Sequence, residues 1–311
     1  MKVLELFAGV GACSKALKRL GIKVDYADVV EIDKYAIKSF NSVHGTNFET
    51  QDITQWNKNI EDVDLIMHGS PCQDFSLAGK QAGADEGSGT RSSLMYETIR
   101  IVESLKPKYV VWENVKNVLS KKHKHNFDNY INTMEELSYN NYYQVLNAKD
   151  YGIPQNRERV FVVSIRKDID NGNFEFPEKQ ELKLKLKDML EDGVDEKYFL
   201  SQKMINFFYK NEQVQKEKGN GFRFGVSDGN IIAKTVTTRA GSRMDDNFID
   251  EESYLKIKNA TKKGYVEAFN GDSVNLSYPE SETRRGRVGN QVSQTLQCSD
   301  SMGVVVSERK Y

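Results

Sequence analysis

Cysteine is scarce in this chain. Three occur in 311 residues, Cys13, Cys72 and Cys298, an odd number without metal-ligand spacing, so neither a complete disulfide framework nor a cysteine-based metal centre is expected. Reduced thiols follow, which leaves a cysteine free for chemistry. Long apolar runs are lacking too, since none approaches the roughly 18 residues that would read as a membrane span. The opening MKVLELFAGVGACSKALKRL is interrupted by Glu5 and glycines, so it reads as a first strand and helix, not a secretion signal, and the cytoplasm is the expected compartment. Net charge is close to zero: 44 Lys and Arg stand against 45 Asp and Glu. That excludes a chain-wide polycation, and a phosphate backbone could be met only by a local patch. ETRRGRVGN (282–290), with Arg284, Arg285 and Arg287 among glycines, is such a patch.

With 38% hydrophobic and 29% charged residues the composition is that of a globular protein, long enough for a large domain and a smaller partner. Through residue 166, compact apolar runs alternate with helix-like stretches. Strands are expected at 2–7, 26–32, 63–68, 108–113, 143–148 and 159–165, with helices at 13–20, 34–43, 92–105 and 127–138. That order predicts an α/β fold, a mostly parallel Rossmann-like sheet covered on both faces. After FEFPEK (174–179) the texture turns to short β-like runs and turns, with one helical stretch at 201–216. The expected division is a first domain over 1–171 and a smaller, β-rich region over 172–311.

Several residues stand where an open parallel sheet binds ligands, at the carboxyl ends of its strands. Gly9 and Gly11 follow the first strand and let backbone approach a ligand closely; Glu31 ends the second, where an acid accepts ribose hydroxyls, and Asp52 follows a little later. The full three-glycine dinucleotide pattern is missing, which argues against NAD or FAD. In HGSPCQDFS, Cys72 is preceded by Pro71, which restricts the backbone, and is placed at the same edge with the access a nucleophile needs. The loop 74–93, with glycines at 79, 83, 87 and 89, exceeds the usual connection length and is expected to act as a lid. VVWENV puts Glu113 at the end of the next strand, as a candidate to supply or share a proton with a ring nitrogen. In YGIPQNRERVFVV, Arg157 and Arg159 at period two point the same way, toward one polar or anionic group, and Glu158 the other.

FAGVGA, EID, QDI, GSPCQDFS, ENV and QNRER, in this order and spacing, resemble the DNA (cytosine-5) methyltransferases over residues 1 to about 166. The resemblance implies an S-adenosylmethionine-binding domain in which Phe7, Gly9 and Gly11 form the cofactor turn, Glu31 holds the ribose, Ile32 packs on the adenine, and Asp52 with Ile53 contacts the adenine end. It implies that Cys72 adds to C6 of cytosine, that Glu113 holds and protonates N3, and that Arg157 and Arg159 fix the base and support Glu113. The substrate would be a cytosine flipped from double-stranded DNA, in a bacterial or phage-infected cell with a restriction-modification system, and residues 172–311 would be the target-recognition region. The family's closing segments, an LT-x-R-E run and a GNSV segment with its returning helix, have no clear counterpart; VGNQV (288–292) is followed by turn formers. A second polypeptide that supplies those segments is therefore expected as a partner. Two other functions compete: a cytosine-5 methyltransferase acting on transfer RNA, and a noncatalytic DNA-binding subunit of a split methyltransferase.

Overall fold

A computed structural model of the chain describes residues 1–71, 91–191, 194–221, 223–237, 243–244, 246–249, 255–259, 264–269, 271–275, 286–292 and 302–304. It divides into two compact units, one comprising Met1–Tyr151 with Arg157–Glu181, the other Gly152–Asn156 with Leu182–Tyr311.

In the first unit the elements are β1 (Lys2–Leu6), α1 (Ala12–Arg19), β2 (Asp25–Val30), α2 (Lys34–His44), β3 (Leu65–His68), α3 (Met95–Leu105), β4 (Tyr109–Val115), α4 (Lys124–Glu136) and β5 (Tyr139–Asn147). The short β6 (Gln155–Asn156) belongs to the second unit, and β7 (Glu158–Arg166) returns to the first. The six-stranded sheet has the order β2-β1-β3-β4-β7-β5. β2, β1, β3 and β4 are parallel, while β7 runs antiparallel to both β4 and β5. The chain moves outward from β1 to β2 and then back past β1 to β3. This reversal opens a crevice at the carboxyl ends of β1 and β3, the place where open α/β sheets bind ligands.

Alternation within the strands decides what covers each face. Leu4, Leu6, Ile66, Val110, Trp112, Val160 and Val162 form one core with Met95, Ile99 and Val102 of α3 and Phe127, Tyr130 and Met134 of α4. Val3, Leu65 and Met67 face the other way and pack on Leu17 of α1, while Val29 meets Ile37 and Phe40 of α2. Period two in the strands and period 3.6 in the helices thus give three layers. Local signals stop and start the helices: Asp33 caps α2 by accepting from Tyr35 N and Ala36 N at 2.8 and 2.9 Å, and Gly45 ends it at φ 68°.

Several strand ends depart from expectation. β5 begins at Tyr139, four residues before the expected start, because Tyr139 to Tyr142 find partners in Arg166 to Val163 of β7. β2 ends at Val30, so Glu31 and Ile32 lie just beyond the ladder. β4 continues to Val115, because Asn114 and Val115 find partners in Val160 and Arg159 of antiparallel β7. Glu113 is therefore inside the ladder, two residues before its end.

The second unit contains α5 (Gln202–Glu217), capped by Ser201, whose Oγ accepts from Met204 N at 3.3 Å. Ile205 and Phe208 on α5 pack with Phe224, Met244 and Phe248. Around this cluster the ladders are short. β8 (Val226–Ser227) pairs with β10 (Phe248–Ile249), and β9 (Ala233–Lys234) pairs with β6. β11 (Leu255–Lys258) pairs with β12 (Tyr265–Ala268), and β13 (Ser273–Asn275) lies between β14 (Arg287–Gly289) and β15 (Met302–Val304). This unit is β-rich, as its turn-laden sequence predicts.

A buried acid ties β1 to α1. Glu5 is only 2% exposed, and the Ser14 hydroxyl donates a hydrogen bond to its carboxyl. Burial pushes the Glu5 carboxyl up to about 7, against the downward pull of the Ser14 hydrogen bonds. Below about pH 4 the group is protonated in folded and unfolded chains alike. Between there and about pH 7 the unfolded chain gives up its proton first, so the folded state loses relative stability as pH rises; above pH 7 the loss is constant. Glu5→Gln removes this penalty. Thermal melts of variant and wild type across about pH 4.5 to 8 should show the difference in Tm moving in the variant's favour by roughly 3 °C or more as pH rises; parallel profiles would refute the buried neutral acid.

Candidate active site

The glycine turn between β1 and α1 is held by backbone and by one acid. Ala8 N donates to Val30 O at 3.2 Å, which continues the β1–β2 pairing past Leu6. Gly9 N then donates to Glu31 Oε2 at 2.8 Å, and Asp33 N to Glu31 Oε1 at 2.8 Å. Both oxygens of Glu31 are oriented by amides, and each keeps a lone pair for a further donor. Phe7, Gly9 and Gly11 all take positive φ, at 53°, 56° and 82°. The two glycines serve different ends. A Cβ on Gly9 would meet nothing within 4 Å, so the backbone there is open to a ligand, whereas a Cβ on Gly11 would run into the His44 and Phe40 side chains of α2. Gly11 is needed for close helix packing as well as for the turn.

Ile32 stands next to Glu31 with 68% of its surface exposed, an apolar face suited to a flat ring. Asp52 is exposed; its Oδ1 accepts from Thr54 N and Thr54 Oγ1, both at 2.9 Å, and so caps the 3-10 turn Ile53–Gln55. Ile53 is buried in the main core with Val30 and Trp56, so its side chain serves packing. Gln51 N donates to Glu31 O at 2.8 Å, which brings the Asp52 segment alongside the end of β2. An acceptor carboxylate, an open glycine backbone and an exposed apolar side chain together suit a nucleoside.

Two strands along, a cavity of about 210 Å³ is lined by Gly69, Ser70, Pro71, Glu113, Asn114, Val115, Arg157 and Arg159. Arg159 Nε lies 2.9 Å from Glu113 Oε1, a charge-assisted contact, and Arg159 Nη1 donates to Glu158 O at 2.7 Å. Glu113 Oε2 is turned toward Gly69, where an added Cβ would stand 3.7 Å from it. Arg157 is placed by its backbone: its N donates to Asn147 Oδ1 at 3.0 Å, and its O accepts from Ala148 N at 3.0 Å. Both arginines line this one cavity, while Glu158 points away to Lys116, 3.0 Å distant.

Ser70 and Asn114 also line the cavity, and sequence reading gave neither of them a role. Ser70 is 3% exposed; its Oγ accepts from Trp112 Nε1 at 3.0 Å, and its backbone oxygen accepts from Asn114 Nδ2 at 3.3 Å. A buried indole N–H needs an acceptor, and that need was the available signal in VVWENV. Trp112 also stacks on His68 at 5.9 Å, with the rings 3° from parallel. Burial pushes the His68 imidazole down to about 3, so it is neutral packing material.

Cys72, residues 74–90 of the loop expected to act as a lid, Cys298, Arg284 and Arg285 lie outside the described residues; Arg287 is exposed at the start of β14. Cys13 is an unsuitable nucleophile, because burial and then the charges of Glu5 and Glu113 push its thiol up to about 12. Among the described residues no cluster of side chains could hold a metal ion, and no helix is long and apolar enough to cross a membrane.

A family model for C-5 cytosine-specific DNA methylases matches residues 1–297. The type II methyltransferase M1.ScrFI of Lactococcus lactis subsp. cremoris is 34% identical over 303 residues, which cover 94% of this chain and 75% of that protein. The type II methyltransferase M2.ScrFI of the same organism is 48% identical over 149 residues, covering 48% of this chain and 41% of that protein. The chain thus spans less than half of one of these relatives and three quarters of the other. Among solved structures, the Dnmt2 methyltransferase of S. pombe shares the fold, with a TM-score of 0.61 at 17% identity over 81% of this chain and 76% of that one. By the family match across nearly its whole length and by the relative that covers 94% of it, the chain belongs to the C-5 cytosine-specific DNA methylase family.

Proposed function

We propose that the chain is a DNA (cytosine-5-)-methyltransferase that methylates C5 of a cytosine turned out of double-stranded DNA, with S-adenosyl-L-methionine as methyl donor. The observation that carries this reading is the cavity that Glu113, Arg157 and Arg159 share with Pro71, the residue before Cys72. Further support comes from the turn at Gly9, which follows strand β1, the neighbour of β3. Phe7, Gly9 and Gly11 would form the cofactor turn, Glu31 would accept from the ribose hydroxyls, Ile32 would pack against the adenine, and Asp52 would meet the adenine edge. When bound, the cofactor supplies an electrophilic methyl group carried on a sulfonium.

The chain's own residues account for the activation of cytosine. C5 is a poor nucleophile until the Cys72 sulfur bonds to C6, which moves the electron pair of the C5–C6 double bond onto C5 and into the ring. Glu113 Oε2 shares a proton with N3, so that negative charge does not accumulate on the ring. Arg159 holds the other oxygen of Glu113 and orients it, and Arg157 adds a second cation within the cavity. After C5 gains its methyl group, the C5 proton leaves to a base, the bond from Cys72 to C6 breaks, and the double bond is restored. A cytosine stacked in a duplex offers no approach to C6 from above the ring, so the base must be flipped, at a cost of a few kcal/mol. Residues 1–171 would carry this chemistry and residues 172–311 the readout of the target sequence, with Arg284, Arg285 and Arg287 as phosphate or guanine contacts. A role in protecting DNA against a companion nuclease fits relatives named as type II methyltransferases.

The reading is tested by bisulfite sequencing of DNA from cells that express this chain, alone and together with the product of the adjacent reading frame. Methylated cytosine in one fixed sequence context is expected, and its absence in both cases would refute the activity. Cys72→Ser should abolish methyl transfer while affinity for cofactor and DNA is kept; retained turnover would remove Cys72 from the mechanism. Arg159→Lys loses the planar fork that meets Glu113, so kcat should fall by roughly a hundredfold with little change in DNA affinity. An unchanged kcat would show that the ion pair serves packing only.

A further inference from the structure

The acids assigned to the cofactor, Glu31 and Asp52, stand on two stretches of chain that lie outside the strands of the sheet. Glu31 has just left β2, and Asp52 begins a single 3-10 turn. What fastens the two stretches together is a residue outside the site. Asp28 on β2, three residues before Glu31, is 4% exposed. Its Oδ1 accepts from Val29 N and from Gln51 Nε2, both at 2.9 Å. Its Oδ2 accepts from Trp56 Nε1 at 2.8 Å and from Lys58 Nζ at 2.7 Å. Four donors fill the four acceptor positions of one carboxylate, and three of them come from the stretch 51–58. Gln51 doubles the link, since its Nε2 also donates to Val29 O at 2.8 Å and its backbone N to Glu31 O at 2.8 Å. From the other side Arg100 of α3 donates through Nη2 to Ile53 O at 3.1 Å and to Trp56 O at 2.9 Å.

We propose that Asp28 is a positioning residue for the cofactor: its buried carboxylate clamps the stretch 51–58 onto β2 and so sets where Asp52 stands relative to Glu31. The inference rests on the reading of Glu31 and Asp52 as cofactor-binding acids. It assigns Asp28 no contact with the ligand. An acid so enclosed is tolerated only when every lone pair is used, and losing one donor or acceptor leaves the remainder buried without a partner. Asp28→Asn keeps the size but replaces an acceptor oxygen by an amide that faces other donors. Gln51→Leu leaves three of the four donors on Asp28 and removes the side-chain bridge to Val29 O.

The test is calorimetric titration of S-adenosylmethionine into wild type, Asp28→Asn and Gln51→Leu. DNA affinity and kcat at saturating cofactor are measured beside it. Tyr139→Phe serves as a control for general destabilisation, because it loses the bond from Tyr139 OH to Pro107 O, 2.7 Å long, on edge strand β5. Both clamp variants should raise the cofactor Kd by roughly tenfold or more, as small misplacements of binding groups do. Their DNA affinity and their kcat at saturation should stay near those of wild type, and the control should keep the wild-type Kd. Should Asp28→Asn fail to fold, Gln51→Leu decides by the same readouts. Clamp variants that bind the cofactor as tightly as wild type, or a control that weakens binding as much as they do, would overturn the positioning role. A wild type that takes up no S-adenosylmethionine would instead overturn the methyltransferase reading itself.

Discussion

The pairing of β3 with β4, from Leu65 opposite Tyr109 to His68 opposite Trp112, is the constraint from which the cavity follows. Continued by one residue it sets Gly69 beside Glu113, and the missing Cβ of Gly69 leaves the Glu113 carboxylate room on that side. Slipping the ladder by one residue would send every side chain to the opposite face. Trp112 would leave the core it fills with Phe127 and Tyr130, and Glu113 would be driven among apolar residues. The register is therefore secured by the burial of large side chains, several of which are fully enclosed, and the polar residues of the cavity inherit their positions from it. The antiparallel neighbour β7 completes the arrangement by putting Arg159 opposite Val115, within reach of Glu113.

Three carboxylates of one sheet show how surroundings divide labour among like groups. Glu5 is enclosed with a single hydroxyl donor, so burial prevails and its acidity is weakened. Burial acts on Asp28 as well, yet Lys58, Trp56, Gln51 and the Val29 amide outweigh it and hold the carboxyl below the usual range. Glu113 remains partly open to solvent beside Arg159. The first is a weakened acid that ties strand to helix, the second an ionised clamp, the third a group able to meet a ligand. The same reasoning separates the thiols, because Cys13 lies among apolar residues and two acids and is kept protonated.

Much of the core was legible because it rests on local periodicity. Alternation in KVLELF and KYVVWE, and the 3.6-residue spacing in the stretches after them, follow from side-chain geometry and needed no knowledge of neighbours. The ends of strands were less legible. β2 stops at Val30 although the apolar pattern runs on to Ile32, and β4 runs on to Val115 although Glu113 looks like an ending. In both cases the boundary is set by whether a partner strand offers hydrogen bonds, which the residues themselves do not record.

The sequence by itself determined the layered α/β class and the types of chemistry at the strand ends, because alternation, glycine turns and the Pro-Cys, Glu-Asn-Val and Gln-x-Arg-x-Arg motifs are properties of adjacent residues. Tertiary structure alone decided that Arg157 and Arg159 share a cavity with Glu113, that Gly11 yields to Phe40 and His44 while Gly9 stays open, and that Ser70 is held by Trp112. It alone made Asp28, unremarked in the chain, the junction of four hydrogen bonds. The physical reason is distance along the chain: donors 23 to 30 residues from Asp28 meet it only after the sheet and its core have formed.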